Sequence, residues 1–491
     1  LKNPEHGNPN LLPSWVICDA DLRSSSQVKC NPGFPGYYAN GLSLVPGEAH
    51  FVGLPALERQ LKESPERVIY SLKSWLGKSS DNIQLKTEIK YLDEDGNEIK
   101  SDKLPLDRAV ESGLAALADA YLFDPSYRAD QIVLTHPNTF TQHHKDLLHK
   151  YAFRALAHRF GIPLRERVQL ISESDAVAYY YCSQQMRRRP RGQTERILVY
   201  DFGAGTLDLS LIRVEWNMGA ENYPKRWEVE GRIGIPVAGN YIDELLARIV
   251  DRLLRDKELQ GAGNIEYQFP IVGRLSDIKK KKQHQSAIVD LWGAIREAKH
   301  QWDGSSALNI RIGYKGSGDG VVTEIVFNQM AKDPPESGPG LWVAGGNIYL
   351  SIPAREIRED VRLSEFIKFV TETVIDELLY AADVIPEKEK VDTVIVSGRG
   401  ALWPGLRDQV RNRFPSSYKP GWDDDSNLED AIVMKDAVVR GAIARQDLLL
   451  DLNAIGHETT WRPKLGVLIN NGDKLIPEEE WGAPIDLSVS P

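Results

Sequence analysis

Residues 197–214 read Ile-Leu-Val-Tyr-Asp-Phe-Gly-Ala-Gly-Thr-Leu-Asp-Leu-Ser-Leu-Ile-Arg-Val. An apolar run ends at Asp201, two glycines follow at Gly203 and Gly205, and alternate leucines begin at Leu207. Apolar and alternating runs on either side of a short glycine turn are typical of two antiparallel strands. The stretch therefore predicts a β-hairpin.

The turn of this predicted hairpin has the composition of a phosphate-binding loop. Its glycines leave successive backbone amides uncovered, and Thr206 adds a hydroxyl donor. Asp201 and Asp208 would repel a bare polyphosphate, so the pair indicates a hydrated divalent cation between carboxylates and phosphates. An ordinary hairpin with a glycine turn and two solvated aspartates would contain the same residues. Taken alone, the stretch leaves both interpretations open.

The composition is that of a globular protein with at least two domains or lobes. The 491 residues are 42% hydrophobic and 26% charged, and 60 basic against 70 acidic residues give a net charge of -10. This balance disfavours general nucleic-acid binding, so the basic runs at 187–191 and 279–282 are expected to be solvated surface. The sequence contains no membrane-length apolar run and no signal segment. We therefore expect a cytoplasmic protein whose three cysteines are reduced thiols.

Two further segments place polar residues or glycines after predicted strands. Residues 131–171 read as strand, helix and strand, a βαβ unit, and the acidic segment 172–175 follows directly. Open α/β sheets bind ligands at the carboxyl ends of their strands, although a helix N-cap alone would also explain this segment. A second buried-type strand, 391–397, is followed by a glycine turn at 398–400 and by a helix that opens near Pro404.

The remaining helices are predicted from apolar spacing and capping residues. We expect helices over 65–76, over 286–302, over 364–382 with Ser364 as its N-cap, over 434–450, and one capped by Asn240. Three histidines, His143, His144 and His149, lack metal-ligand spacing and are expected on the surface.

Three motifs on the phosphate side carry a family resemblance. Asp201-Phe-Gly-Ala-Gly-Thr-Leu-Asp208 is similar to the second phosphate loop of the actin-like ATPase superfamily, and the chain most closely resembles the ATPase domain of seventy-kilodalton heat-shock chaperones. Ile171-Ser-Glu-Ser-Asp-Ala-Val-Ala178 resembles that family's Ile-Asn-Glu-Pro-Thr-Ala-Ala-Ala stretch, with Ser174 in place of proline, which implies that Glu173 lies near the attacking water. Ser71-Leu-Lys-Ser-Trp-Leu-Gly77 resembles the Asp-Ala-Lys-Arg-Leu-Ile-Gly helix and implies a catalytic Lys73.

Further motifs resemble the family's nucleoside side. Ala238-Gly239-Asn240 resembles a Gly-Gly-Glu turn, which implies that Gly239 lies near phosphate. The segment 396–404 resembles the adenosine motif, with Arg399 and Leu402 in place of a glycine and an arginine. Residues 294–303 align with the helix that grips adenosine, and residues 436–441 resemble the return helix that joins the two lobes.

The resemblance covers nearly the whole chain and implies an α/β, two-lobed actin-like ATPase fold, with a mixed sheet in each lobe and a nucleotide cleft between them. It implies lobe I at 1–185 (outer subdomain 14–103, inner subdomain 104–185), lobe II at 186–435 (outer subdomain 237–352), a return helix and linker-like segment at 436–452, and a C-terminal β extension at 453–491. The family's first phosphate loop, an Asp-x-Gly-Thr-Thr hairpin, has no counterpart before Pro13. We therefore expect the chain to begin downstream of that loop.

The function implied by the resemblance is slow, Mg²⁺-dependent ATP hydrolysis in a chaperone-like cycle with a protein client or co-chaperone-like partner, and without nucleic acid or membrane. The implied cofactors are ATP or ADP and Mg²⁺, which Asp201 and Asp208 would hold through water. The implied catalytic residues are Lys73, Glu173, Asp201, Thr206 and Asp208, and the implied nucleotide-binding residues are Gly203, Ala204, Gly205, Thr206, Gly239, Lys299, His300, Gly398, Arg399 and Leu402. The alternative is a nucleotide-dead or nucleotide-locked scaffold that keeps the fold for protein contacts. A sugar-type kinase on the same fold would need a second substrate pocket, for which the sequence contains no motif, and a filament-forming actin relative also remains open.

Overall fold

The computed structural model of the chain describes residues 15–18, 50–52, 68–70, 76, 82–92, 98–107, 109–111, 114, 132–160, 167–185, 193–217, 224–256, 265–267, 282–314, 322–324, 331–384, 391–419 and 437–445. The chain divides into two compact units. The first unit comprises residues 1–172 and 236–354, and the second comprises residues 173–235 and 355–491. The division into lobes that the family resemblance implies stays a prediction.

The first unit begins with antiparallel strands. Strand β1 (Trp15–Cys18) lies between β2 (His50–Val52) and β3 (Val68–Tyr70), and β4 (Asn82–Leu92) pairs with β5 (Glu98–Pro105). The helix predicted over 65–76 is wrong at 68–70. These three residues, Val-Ile-Tyr, have high β propensity, and pairing with a strand more than fifty residues earlier overrides the helical spacing. Lys73 lies outside the described residues.

The predicted βαβ unit is confirmed. Strands β6 (Ile132–His136) and β7 (Val168–Ser172) are parallel and are joined by helix α1 (Gln142–Phe160). Such a parallel pair needs a crossover connection, and the helix supplies it.

The first turn of α1 is closed by a reciprocal pair of hydrogen bonds. The backbone N–H of Thr141 donates to Nδ1 of His144 (3.3 Å), and the backbone N–H of His144 donates to the Thr141 hydroxyl (3.4 Å). The His144 ring is buried and also packs edge-on against Phe140, with 5.6 Å between ring centroids. The prediction of a surface position is therefore wrong for His144. Burial, together with the neighbouring His143, lowers the pKa of His144.

The rest of the first unit, as far as the structure describes it, includes two helices and two small antiparallel sheets. Helix α3 (Gly239–Leu254) packs against α4 (Lys282–Gln301), which in turn packs on β12 (Leu308–Tyr314). Strand β15 (Asn347–Ile352) lies between β12 and β14 (Gly340–Ala344), and β11 (Ile265–Tyr267) pairs with β13 (Val322–Glu324). Asn240 was predicted to cap α3. This is wrong, because Ala238 is the N-cap and no side chain caps the helix.

The second unit is built on a four-stranded mixed sheet that contains the predicted hairpin. Strands β8 (Thr194–Phe202), β9 (Leu207–Trp216) and β10 (Pro224–Ile235) form an antiparallel meander, and β16 (Thr393–Ser397) lies parallel to β8 at the edge. Both the hairpin at 197–214 and the third strand of the meander are thus confirmed.

Helices cover both faces of this sheet. Helix α2 (Glu173–Gln185) packs on β8 and β9, and the helical residues 437–445 pack in turn on the first turn of α2. On the opposite face, the Tyr200 hydroxyl donates to the Val370 carbonyl (3.1 Å), and the Phe202 and Phe366 rings lie 6.4 Å apart. Because successive side chains of a strand point to opposite faces, α2 packs on one face of the sheet and the 361–381 helical segment on the other.

The helices that follow the first unit begin with α5 (Ala354–Arg358) and α6 (Val361–Lys368). A π-helical turn (Phe369–Thr373) then leads into α7 (Val374–Ala381), and α8 (Pro404–Arg413) follows β16. Ser364 was predicted as an N-cap but lies inside α6. The cap is Asp360, whose carboxylate accepts from the Leu363 N–H (3.1 Å).

The described residues thus form a mixed α/β fold, and among them are one mixed sheet, one parallel pair and several antiparallel sheets. Within the described ranges, no helix combines the length and the apolar character needed to cross a membrane.

Candidate functional site

The hairpin turn between β8 and β9 is a closed loop. The Gly203 N–H donates to the Thr206 carbonyl (3.0 Å), and the Thr206 hydroxyl donates to Oδ2 of Asp208 (2.7 Å). Ala204 at the tip is exposed, and Gly205 beside it is half-buried. The turn therefore presents backbone to its surroundings while its threonine holds one carboxylate oxygen of the next strand.

Two aspartates face each other just below this turn. Asp201 and Asp208 are direct cross-strand partners, so their side chains lie on the same face of the sheet. They are only 5% and 1% exposed. Like charges placed directly opposite are destabilising, and a bound cation would relieve that repulsion.

The aspartate pair suits a hydrated Mg²⁺ better than a fully protein-ligated ion. Magnesium is commonly held by one or two carboxylates and keeps several of its waters. No cluster of three or more histidine, cysteine, aspartate or glutamate side chains that could hold a metal occurs in the part of the chain that the structure describes. The residues present therefore fit a cation that binds largely through water.

A second glycine turn lies directly against the first. The parallel register places Ser397, the last residue of β16, beside Asp201. Gly398 has a φ of 83°, and a Cβ there would lie 2.3 Å from the Phe202 carbonyl oxygen. A Cβ on Gly400 would lie 2.5 Å from the Gly203 carbonyl oxygen. Only glycine allows this approach, and it packs the two predicted glycine turns together.

Glu173 is the first residue of α2 and is half-buried. The hydroxyl of Ser174, the next residue, lies 2.8 Å from the hydroxyl of Ser210 on β9. Ser210 follows Asp208 by two residues on the same face, a separation of roughly 7 Å along the strand. The second unit thus brings the start of α2 close to the aspartate pair.

Ser210 and Arg232, at this end of the sheet, are not among the site residues that the sequence predicts. The Ser210 hydroxyl donates to Oδ1 of Asp175 (3.0 Å). Arg232 on β10 donates to both oxygens of the same carboxylate, from Nε to Oδ1 (3.1 Å) and from Nη2 to Oδ2. Burial acts to lower the pKa of Arg232, but the charge and hydrogen bonds of Asp175 outweigh it and raise that pKa. The Arg232 guanidinium therefore stays protonated beside Asp175 across the ordinary pH range. A polar serine between Leu209 and Leu211 was the available sequence signal.

Lys299, Gly239 and His300 belong to the first unit. Nζ of Lys299 lies 2.6 Å from Oδ1 of Asp243 and donates to the Gly239 carbonyl (2.9 Å), and the residue is only 8% exposed. Lys299 therefore ties α4 to the first turn of α3, while His300 beside it is exposed.

Arg399 and Leu402 lie on the short 3-10 helix (Arg399–Leu402) that follows Gly398. Both are half-buried, and burial lowers the pKa of Arg399. The basic run at 187–191 and residues 279–281 of the other run lie outside the described residues.

Of the predicted site residues, the second unit therefore holds Glu173, Asp201, Gly203, Ala204, Gly205, Thr206, Asp208, Gly398, Arg399 and Leu402, and the first unit holds Gly239, Lys299 and His300.

A comparison of the chain with models of known protein families found no match.

Proposed function

We propose that this chain is an ATP-binding and slowly ATP-hydrolysing chaperone-like protein with a two-lobed actin-like fold, in which lobe closure is coupled to a protein client or co-chaperone-like partner. One observation carries the proposal. The buried Asp201–Asp208 pair lies beneath a glycine turn, and a second glycine turn packs against that turn. A cytoplasmic location, and the absence of nucleic acid or membrane among its partners, belong to the same proposal.

Because the Gly203 N–H already donates to the Thr206 carbonyl, the backbone amides of 204–206 would be the ones that donate to phosphate oxygens, as in other loops whose uncovered amides form an anion-binding concavity. When bound through water to the two aspartates, Mg²⁺ would neutralise negative charge that develops on the phosphates. Thr206 keeps the Asp208 carboxylate oriented, because its hydroxyl already donates to Oδ2.

Glu173 and Lys73 complete the proposed catalytic set. Glu173 would accept a hydrogen bond from the attacking water and so orient it towards the terminal phosphorus, and Lys73 would offset developing charge. Gly239 would lie near phosphate, and the nucleoside would be bound by His300, Gly398, Arg399 and Leu402. Lys299 is assigned here to supporting Gly239, since its ammonium group is already paired with Asp243.

A scaffold without nucleotide turnover is the second candidate. The observation that favours it is the same Lys299–Asp243 ion pair. A lysine that is buried and bonded within the fold contributes to stability whether or not adenosine is bound. In that case the glycine turns would serve only to pack the sheet.

Calorimetric titration of Mg-ATP into the full chain and its Asp208→Asn variant separates these candidates. The substitution removes one negative charge while it keeps the shape of the side chain and its acceptor for Thr206. A charged contact of this kind contributes about 1.5–3 kcal/mol, so we expect the affinity to fall roughly tenfold or more.

Asp251→Asn is the matched control, because Asp251 is also buried but pairs with Arg255 on α3 in the first unit. It should leave the affinity for Mg-ATP unchanged. Absence of Mg-ATP binding by the complete wild-type protein with its natural N-terminus would refute the ATPase and support the scaffold.

A further inference from the structure

A continuous set of polar contacts joins the first turn of α2 to two strands of the second unit. Ser174 contacts Ser210, Ser210 donates to Asp175, and Arg232 donates to both oxygens of Asp175. Ser174, Ser210 and Asp175 are buried, while the side chain of Arg232 reaches them from β10 and is 31% exposed. We refer to these four residues as the α2 anchor.

The α2 anchor lies one row away from the aspartate pair. Arg232 is the cross-strand partner of Ser210, and Gly234, two residues further along β10, is the partner of Asp208. Side chains two residues apart on a strand share a face, so the anchor and the aspartates lie on the same face of the sheet. The residue that precedes the anchor on α2 is Glu173.

Holding a helix on a sheet through buried polar side chains costs more free energy than holding it through apolar ones. Burying a hydroxyl or a carboxylate is unfavourable unless it is hydrogen-bonded, and apolar side chains would hold the helix by contact area alone. Hydrogen bonds, however, depend on distance and angle, and they resist sliding and rotation that an apolar contact tolerates. The anchor therefore specifies where α2 begins relative to β9.

We propose that Ser174, Asp175, Ser210 and Arg232 are positioning residues that hold Glu173 in register with Asp208 for hydrolysis; this inference rests on the proposed ATPase function. In that reaction the water oxygen bonds to the terminal phosphorus while the bond from that phosphorus to the bridging oxygen breaks. ADP leaves with the electron pair of that bond, and the proton lost by the water passes to the carboxylate of Glu173 and then to solvent. A misplacement of about 1 Å can reduce such a rate on the order of a hundredfold.

The test is single-turnover hydrolysis of Mg-ATP by Ser210→Ala, which removes one hydroxyl with almost no change in volume. We expect the rate to fall about tenfold or more and the dissociation constant of Mg-ATP to stay within about twofold, because the phosphate loop and the aspartates are untouched. Ser210→Thr, which restores the hydroxyl, should recover part of the rate.

Ser417→Ala is the matched control. Its hydroxyl is also buried in the second unit, but it donates to the Val391 carbonyl (2.6 Å) near the opposite end of β16. The thermal midpoints of both alanine variants should fall by similar amounts, and only Ser210→Ala should lose rate. In a Glu173→Gln background, Ser210→Ala should cause no further loss, since both changes act through the same carboxylate.

Three outcomes would overturn the inference. An unchanged rate in Ser210→Ala, or an equal loss in Ser417→Ala, removes the positioning role while leaving the ATPase intact. A wild-type chain that neither binds nor hydrolyses Mg-ATP removes the proposed function first, and the positioning role falls with it.

Discussion

Replacing Glu195 by glutamine is expected to destabilise the second unit, because this buried carboxylate accepts three hydrogen bonds from three different elements. The Tyr181 hydroxyl on α2 donates to Oε1 (2.8 Å), and the Thr393 hydroxyl on β16 donates to the same oxygen (2.5 Å). The Trp216 indole N–H on β9 donates to Oε2 (3.1 Å). One charged group thus joins a helix and three strands.

The expected loss of unfolding free energy follows from these three hydrogen bonds. In Glu195→Gln one oxygen can still accept from Tyr181 and Thr393, but the amide nitrogen that replaces Oε2 opposes the donor of Trp216. Loss of that charged bond costs about 1.5–3 kcal/mol, and each of the two others weakens by roughly 1 kcal/mol as the acceptor becomes neutral. We expect the free energy of unfolding to fall by about 3.5–5 kcal/mol.

Guanidinium denaturation followed by circular dichroism at pH 7 measures this loss. Glu359→Gln is the control, because Glu359 pairs with Arg355 on the surface, where the two side chains are 63% and 81% exposed, and such a pair contributes about 0.5 kcal/mol or less. A double-mutant cycle of Glu195→Gln with Tyr181→Phe should show coupling, since the two residues share a bond. A loss below about 0.5 kcal/mol in Glu195→Gln, or full additivity in the cycle, would show that these hydrogen bonds do not stabilise the second unit as expected.

Two other substitutions test the packing. The pKa of His144 is lowered from 6.5 in the folded chain, so the folded state binds fewer protons than the unfolded state. The contribution of neutral His144 to stability is therefore complete above pH 6.5 and declines as the pH falls towards the lowered pKa. His144→Gln, which keeps an acceptor for the Thr141 N–H but does not titrate, should flatten the pH dependence of the thermal midpoint below pH 6.5, and an unchanged slope would contradict this. Gly441→Ala should cost about 3 kcal/mol in denaturant unfolding, because its Cβ would lie 1.6 Å from the Ala176 carbonyl oxygen. Gly293→Ala, whose Cβ meets nothing within 4 Å, should instead be neutral or stabilising, and equal effects of the two changes would show that the close packing is not the cause.

Much of the candidate site could be predicted because it depends on local sequence. Glycine turns, the apolar run before Asp201 and the alternation after it are short-range signals, and they correctly predicted the hairpin and the glycine turn after β16. The packing of Gly398 and Gly400 onto that hairpin was not local. It required the parallel pairing of β16 with β8, two strands that lie almost two hundred residues apart.

Local sequence specifies the period of each strong element and the positions of the glycine turns, because backbone geometry and alternation act over a few residues. Long-range packing makes 68–70 a strand, pairs the Lys299 ammonium group with Asp243, and brings Ser210 and Arg232 to Asp175. In each case the partner comes from a distant part of the chain. Hydrogen bonds and ion pairs form between whichever groups the fold brings within about 3 Å, and no spacing within one segment encodes that meeting.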